Sequence, residues 1–376
     1  MRLSTKVAIA ALATFVAAGV GAARASAGSA PGTLVRPSDL PVGPDSPAAW
    51  LDYPAAHLVR SGHDPIPLDR PGAVPSALLE ASGGWLIPYT VLTGRTPPSV
   101  MVLVDDAGHT RDVARSPGLL QLVTRDGGSF VTAQRVHGHG ERLTVLRQFR
   151  ISDGTLLGSR RIVHQRRGHL GDLAVLQATS RRVLLERTMQ VGERNRAVRY
   201  TTMWWTPATG KVDVVWQTTQ DRSDTVVVRS AASLVSHTIA ARDEHSGQTV
   251  RDLRTGRKLW HLPGRERAAE FSPAGDVLLT TTAPSGPNAV RVLRTRDART
   301  GDLLATYRGT LSGRSSGWES ASTYLVAGGD GIRRVEGDPV WSNPATIRCS
   351  VTTGSCERVA NLPAGTSLAR PTGTGY

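Results

Sequence analysis

Apolar and β-branched residues alternate with polar ones over short stretches of this chain, and the stretches are separated by turns built on glycine. Val290-Arg291-Val292-Leu293 runs into Ala298-Arg299-Thr300-Gly301, and Leu303-Leu304-Ala305-Thr306-Tyr307 leads out. Alternation of this kind suits a pleated, half-buried strand, and glycine supplies the positive φ that a tight hairpin turn needs. The pattern predicts a β-hairpin. The same turn returns at Asp106-Ala107-Gly108-His109, Ser152-Asp153-Gly154-Thr155, Ala208-Thr209-Gly210-Lys211, Arg254-Thr255-Gly256-Arg257 and Thr353-Gly354-Ser355. From Gly108 to Gly354 the glycines stand 46, 56, 46, 45 and 53 residues apart, a period that implies one small sheet per repeat.

A second series keeps step with the first. A small or polar turn followed by an apolar strand precedes every mark, at Ser82-Gly83-Gly84-Trp85-Leu86, Asp126-Gly127-Gly128-Ser129-Phe130, Ser180-Arg181-Arg182-Val183-Leu184, Ala231-Ala232-Ser233-Leu234, Ser272-Pro273-Ala274-Gly275-Asp276-Val277 and Ser320-Ala321-Ser322-Thr323-Tyr324. Two turn series in fixed phase imply four strands per repeat, and six repeats are visible.

Phe271-Ser272-Pro273-Ala274-Gly275-Asp276-Val277-Leu278 resembles the phenylalanine-serine-proline-x-glycine turn of WD-repeat-like propellers. Val250-Arg251-Asp252-Leu253-Arg254-Thr255-Gly256-Arg257-Lys258-Leu259-Trp260 is similar to the last hairpin of a quinoprotein-like blade. The resemblance runs from about Ser76 to Ala360 and is strongest between Thr249 and Tyr307, without the Trp-Asp dipeptide of true WD repeats. It implies an all-β chain, a β-propeller of four-stranded antiparallel blades, six in number or seven if the N-terminal residues build another. Such a ring hides its sheet edges. The resemblance carries over no cofactor-binding set, so no cofactor is expected.

The first 27 residues stand apart. Arg2 and Lys6 form a basic start, Val7 to Gly21 is a short apolar run rich in small residues, and Ala25-Ser26-Ala27 is a small-x-small cleavage signal. The expectation is a signal peptide over 1–27, cleaved after Ala27, and a secreted or envelope-associated product; a retained anchor helix is the alternative. No later stretch reaches an uninterrupted 18-residue apolar run, so no transmembrane segment is expected after cleavage. Residues 28–75, rich in proline and glycine, predict an extended arm with a strand near Ala56-His57-Leu58-Val59, able to close the ring. Residues 76–362 make the propeller and 363–376 a flexible tail.

Charge narrows the partners. Cleavage removes Arg2, Lys6 and Arg24 and lowers the formal charge from +14 to +11. A basic surface draws anionic polymers through its long-range field, so an anionic cell-wall polymer joins a protein or peptide ligand among the expected partners, with no specific nucleic acid and a monomeric state. Lys6, Lys211 and Lys258 are the only lysines, an arginine bias that resembles actinobacterial composition.

Cys349 and Cys356 flank the last mark. Residues paired across an antiparallel hairpin approach closely enough for a disulfide, and an exported compartment permits oxidation. A bridge pinning the last blade is expected.

Candidate chemistry is sparse. Gly313-Arg314-Ser315-Ser316-Gly317 matches a nucleophile-elbow pattern but lacks a following helix, and reads as a loop. His137-Gly138-His139-Gly140-Glu141 offers ligand types on a flexible hairpin tip, and Asp243-Glu244-His245 and Asp105-Asp106 read as turns, so no catalytic or metal residue is assigned. Trp85, Trp216, Trp260 and Tyr324 fall in strand registers that want core packing. Trp204 and Trp205 are adjacent on a strand and so face opposite sides, which makes one of them the candidate partner contact. The functional expectation is a non-catalytic exported propeller that binds a protein, a peptide or an anionic envelope polymer. A lyase or hydrolase with its pocket at the central channel, and a TolB-like envelope accessory protein, are the alternatives.

Overall fold

The computed structural model describes residues 32–369, apart from 53–54, 92–98, 117, 139–140, 166–170, 192–196, 222–224, 232–233, 241–246, 263–265, 283–290, 313–316, 336–337 and 364–366. The expected signal segment with Ala25 and Ala27, the Asp243-Glu244-His245 cluster and Gly313 to Ser316 lie outside the described residues, as do the side chains of His137 to Glu141. Apart from one short 3-10 helix, Pro37–Asp39, the regular structure among the described residues is all strand.

The strands gather in sequence order into antiparallel groups of four, two of which are joined edge to edge where Thr310 and Leu311 pair with Gly329 and Gly328. Sheet B holds Leu79–Ala81, Gly84–Val91, Ser99–Val104 and Thr110–Ser116, with Ala73–Pro75 also paired to Gly84–Val91. Sheet C holds Leu119–Val123, Ser129–Gly138, Glu141–Arg150 and Leu156–Gln165; sheet D holds Gly171–Ala178, Val183–Val191, Ala197–Trp205 and Val212–Asp221. Sheet E holds Thr225–Ala231, Leu234–Ala240, Gly247–Asp252 and Lys258–Leu262; sheet F holds Glu266–Phe271, Val277–Thr282, Arg291–Asp297 and Leu303–Leu311. Sheet G holds Gly317–Trp318, Thr323–Gly329, Ala345–Ser350 and Cys356–Val359, with the hairpin Gly331–Val335 and Asp338–Ser342 inserted after its second strand. The first strands of sheets B to F lie side by side in that order, the layout of a β-propeller.

Because the sheets pack face to face through apolar clusters, their middle strands bury both faces. Hence the continuous apolar runs Val183-Leu184-Leu185 and Val277-Leu278-Leu279, where alternation would mark a strand with one wet face. Seven hydrophobic clusters among the described residues each bridge two sheets. Leu86 and Met101 of sheet B meet Phe130 and Phe149 of sheet C. Leu122 and Leu146 meet Leu185 and Met203 of sheet D, and Leu184 and Trp204 meet Val235 and Leu253 of sheet E. Leu234 meets Phe271 and Leu278 of sheet F, and Leu279 and Leu293 meet Tyr324 and Val326 of sheet G.

The two ends of the described chain share one further sheet. Sheet A holds Trp50–Asp52, His57–Val59 and Ile66–Pro67, and its fourth strand is Ser367–Leu368 from the other end of the chain. Its clusters face both neighbours: Leu51 and Leu58 pack with Ile87 and Tyr89 of sheet B, and Trp50 and Leu368 with Leu325 and Val359 of sheet G. Two expectations change here. The arm 28–75 carries three strands of a sheet rather than one, and the span 363–376 includes a paired strand, because Leu368 and Ala369 fill apolar space between sheets. Upstream, Thr33–Val35 runs parallel to Leu303–Leu311 and Val42–Gly43 parallel to Cys356–Val359, so the arm lines the edges of sheets F and G.

Five of the six repeated turns are chemically uniform. The amides of Gly154, Gly210, Gly256, Gly301 and Gly354 donate to the carbonyls of Arg150, Thr206, Asp252, Asp297 and Ser350 at 2.8 to 3.1 Å. Gly154 shows why glycine is required: φ is +71°, and a Cβ there would lie 2.1 Å from the Val113 carbonyl oxygen of sheet B. The residue after the accepting carbonyl is apolar and buried in each case, Ile151, Pro207, Leu253, Ala298 and Val351. At the last turn Cys349 and Cys356 are register partners and are joined by a disulfide. No helix among the described residues is long and apolar enough to cross a membrane.

Candidate functional site

In an up-and-down sheet the turn between strands one and two and the turn between strands three and four emerge on the same side. Among the described residues, their packing on sheets A to D leaves three adjoining clefts. The first, 690 Å³, is lined by Ser82, Arg111, Asp126, Ser129, Arg150, Ser152, Leu157 and Ser180. The second, 430 Å³, shares Ser82 and Asp126 with it and adds Glu80, Trp85, Arg125 and Asp106. The third, 460 Å³, shares Asp106 and adds Arg60, His63, Asp64 and Ile66. The first two clefts share two wall residues and the last two share one, so the three lie in a row, a furrow, across the turn face.

Local chemistry holds the furrow's floor. The Ser82 amide donates to the Gly127 carbonyl at 2.9 Å, and the Arg125 amide to the Ala178 carbonyl at 3.0 Å, tying turns of sheets B, C and D together. A Cβ on Gly127 would lie 2.5 Å from the Ser82 nitrogen, so the turns can approach only because a glycine stands there. Thr124 donates to Asp126 at 2.6 Å and exchanges a 3.1 Å bond with Ser129, whose hydroxyl also accepts from Gln148 Nε2 at 2.8 Å. The Ile151 amide donates to the Gly128 carbonyl at 2.9 Å while Arg111 Nη2 donates to the Ile151 carbonyl at 3.1 Å.

Electrostatics differ between neighbouring carboxylates. Burial pushes Asp126 up, but bonds from the Thr124 hydroxyl, the Gly128 amide and the Ser180 hydroxyl outweigh it, and its pKa lies below the ordinary value. Burial alone pushes Glu80 up. Arg150 pairs with Asp153 at 2.9 Å on the rim, and Arg60 lies 5.0 Å over the Trp85 ring. The furrow therefore presents alternating carboxylates, guanidinium groups and serine hydroxyls beside apolar patches at Leu157, Ile66 and Trp85. This arrangement suits recognition of an extended polar chain by many hydrogen bonds.

The expected partner contact is not where the indoles were expected to offer it. Trp204 is 9% exposed and Trp205 fully buried, because sheet D has a neighbour on each side; adjacent indoles facing opposite ways both enter core. Trp204 packs with Leu184 and Val235 and carries Arg182 at 4.7 Å over its ring, and Trp205 packs with Leu185 and Met203. Trp85, Trp216 and Trp260 are half-buried and Tyr324 is buried, in keeping with packing. Asp105 caps its turn by accepting from the Ala107 and His109 amides at 2.9 and 2.8 Å. Among the described residues no group of three or more histidines, cysteines and carboxylates converges as metal ligands would. The furrow itself escaped the sequence analysis; the nearest signal was the turn series Ser82-Gly83, Asp126-Gly127 and Ser180, which marks strand ends and says nothing of the gaps between them.

No family model matches this chain, and no curated protein matches it. Solved structures do. The uncharacterized protein lmo1340 from Listeria monocytogenes EGD-e aligns at 10% identity and a TM-score of 0.51, over 79% of this chain and 85% of that one. An oligogalacturonate lyase, solved in complex with manganese, aligns at 13% identity and 0.50, over 76% of each chain. TolB from Acinetobacter baumannii aligns at 15% identity and a TM-score of 0.41, over 82% of this chain and 68% of its own. At these identities the likeness is one of fold alone.

Proposed function

We propose that this chain is an exported, seven-bladed β-propeller that binds an extended peptide segment of a partner protein in the turn-face furrow. Sheets A to G are its blades. The seven clusters run from each sheet to the next and from sheet G back to sheet A, which supports a closed ring in which Ser367–Leu368 completes the blade begun by Trp50–Asp52. Export, with cleavage after Ala27, accords with the Cys349–Cys356 disulfide, since such bonds persist outside reducing compartments.

The observation that carries the binding reading is the continuity of the furrow. Ser82 and Asp126 join the first cleft to the second and Asp106 joins the second to the third, along a row of backbone turns, a shape that fits a chain laid across several blades better than one compact molecule. Panning a displayed library of random peptides against residues 28–376 tests it. Enriched peptides that bind the wild type and lose at least about tenfold in affinity to Ser82→Arg and Ser152→Arg support the reading. Enrichment of none, or binding unchanged in both variants, rejects it.

A further inference from the structure

Outside the furrow, the facing surfaces of sheets C and D hold two arginines that have no acidic partner among the described residues. Leu146 of sheet C and Leu185 of sheet D share one cluster, and Gln148 Nε2 reaches the Thr179 carbonyl of sheet D at 3.3 Å, so the face carrying residues 144, 146 and 148 looks at sheet D. Two residues beyond Leu146, away from the furrow, stands Thr144; two beyond Leu185 in the same direction stands Arg187. Thr144 is 2% exposed, and its hydroxyl has no hydrogen-bond partner among the described residues. Arg187 is half-buried and its Nε is likewise unpartnered. Arg187 pairs in register with Thr201 and Met189 with Arg199, which places Arg187 and the exposed Arg199 diagonally on adjoining strands.

Neither arginine has an acidic partner among the described residues. The acid closest in register, Asp172, is engaged by Arg135, whose Nη2 donates to both its oxygens at 2.9 Å. Burial first, and the charge of Arg199 second, pull the Arg187 guanidinium below its ordinary pKa, as expected of a cation held out of water beside another. A half-buried unpaired guanidinium and a buried unpaired hydroxyl each cost stability unless a ligand completes them.

We infer that Arg187, Arg199 and Thr144 form a slot between sheets C and D that binds an oxyanion group, a carboxylate or a phosphate, of a ligand arriving from the side opposite the furrow. Arg187 supplies a planar fork matched to two oxygens, Arg199 a second charge at the mouth, and Thr144 a hydroxyl at the back. The slot is separate from the furrow and does not depend on the peptide reading.

Calorimetric titration of the protein spanning 28–376 with inorganic phosphate and, separately, with succinate tests this at constant ionic strength, with chloride as the control. The expected result is saturable binding of one or both anions, weakened at least about tenfold in Arg187→Gln and more mildly in Thr144→Val. Phosphate alone marks a phosphate-bearing ligand, succinate alone a carboxylate, and either supports the slot. In the absence of anion, Arg187→Gln should melt no lower than the wild type, because it removes an uncompensated charge; a purely structural arginine would melt lower when lost. Heats no larger than those of chloride, or unchanged affinity in both Arg187→Gln and Thr144→Val, overturn the inference.

Discussion

Leu368 pairs with Trp50: the last described strand of the chain lies beside one of the first, and both side chains enter the cluster that sheet A shares with sheet G. Deleting residues 364–376 removes this strand and uncovers Trp50. The expected loss is about 3 kcal/mol or more, from the burial of Leu368 and Ala369 and the ladder bonds that go with them. Urea unfolding followed by tryptophan emission checks it, with a red shift already present before the transition.

Arg348 holds the arm in place. Its Nε and Nη2 donate to Glu319 at 2.5 and 2.8 Å, its Nη1 to Glu357 at 2.7 Å, and the same guanidinium reaches the Pro44 and Asp45 carbonyls at 3.0 and 3.2 Å. Glu319 also accepts from the Ser46 hydroxyl. The Arg348 and Glu319 side chains are only 10% and 6% exposed, so removing Arg348 leaves Glu319 charged and buried, whereas removing Glu319 leaves Arg348 its pair with Glu357. Arg348→Met should cost about 3 to 5 kcal/mol, and Glu319→Gln less. Limited proteolysis should then cut near residue 45 before the sheets unfold.

Glycine at the repeated turns is required by the neighbouring sheet as well as by the turn. Gly62 and Gly154 have φ of +73° and +71°, but a Cβ at Gly62 meets nothing within 4 Å while one at Gly154 meets the Val113 carbonyl at 2.1 Å. Gly62→Ala should cost about 1 kcal/mol, the conformational share alone. Gly154→Ala should cost at least about 2 kcal/mol more, as backbone must shift. Paired denaturation curves check the difference, and equal costs would remove the inter-sheet argument.

Alkaline stability should fall for a specific reason. Burial pushes Tyr89 and Tyr307 up to about 12, while an unfolded tyrosine ionises near 10. A raised pKa means the folded state holds its proton longer, so this contribution is complete below about pH 10 and is lost as pH rises towards 12. Tyr89→Phe and Tyr307→Phe should flatten that loss, measured as melting temperature against pH. Asp126 works in the opposite sense: its depressed pKa adds stability above the ordinary carboxylate value and loses it as pH falls through the folded one.

Much of the fold was legible because the turns are local. Five of the glycine marks, from Gly154 to Gly354, close with the same amide-to-carbonyl bond, and the paired cysteines sit on facing positions of their hairpin. Sheet A was not legible as a unit, because its four strands come from both ends of the described chain and Ser367–Leu368 is too short to show a period. The bulges that recur at Gln121, Leu176 and Ala269 in first strands were equally hidden, since a bulge depends on the partner strand. The Trp204-Trp205 expectation failed for a physical reason. Opposite faces of a strand imply one wet side only where the sheet has one neighbour, and sheet D has two.

The furrow is the centre of the account, and site-specific photocrosslinking tests it most directly. A photoreactive residue is placed at Ser152, in the furrow, or at Leu304, which is 38% exposed on the outer strand of sheet F, and each protein is irradiated in the same cell extract. A single protein adduct from position 152, absent from position 304 and lost on adding a furrow-binding peptide, is the predicted result. Adducts of equal yield from both positions, or from 304 alone, would contradict it.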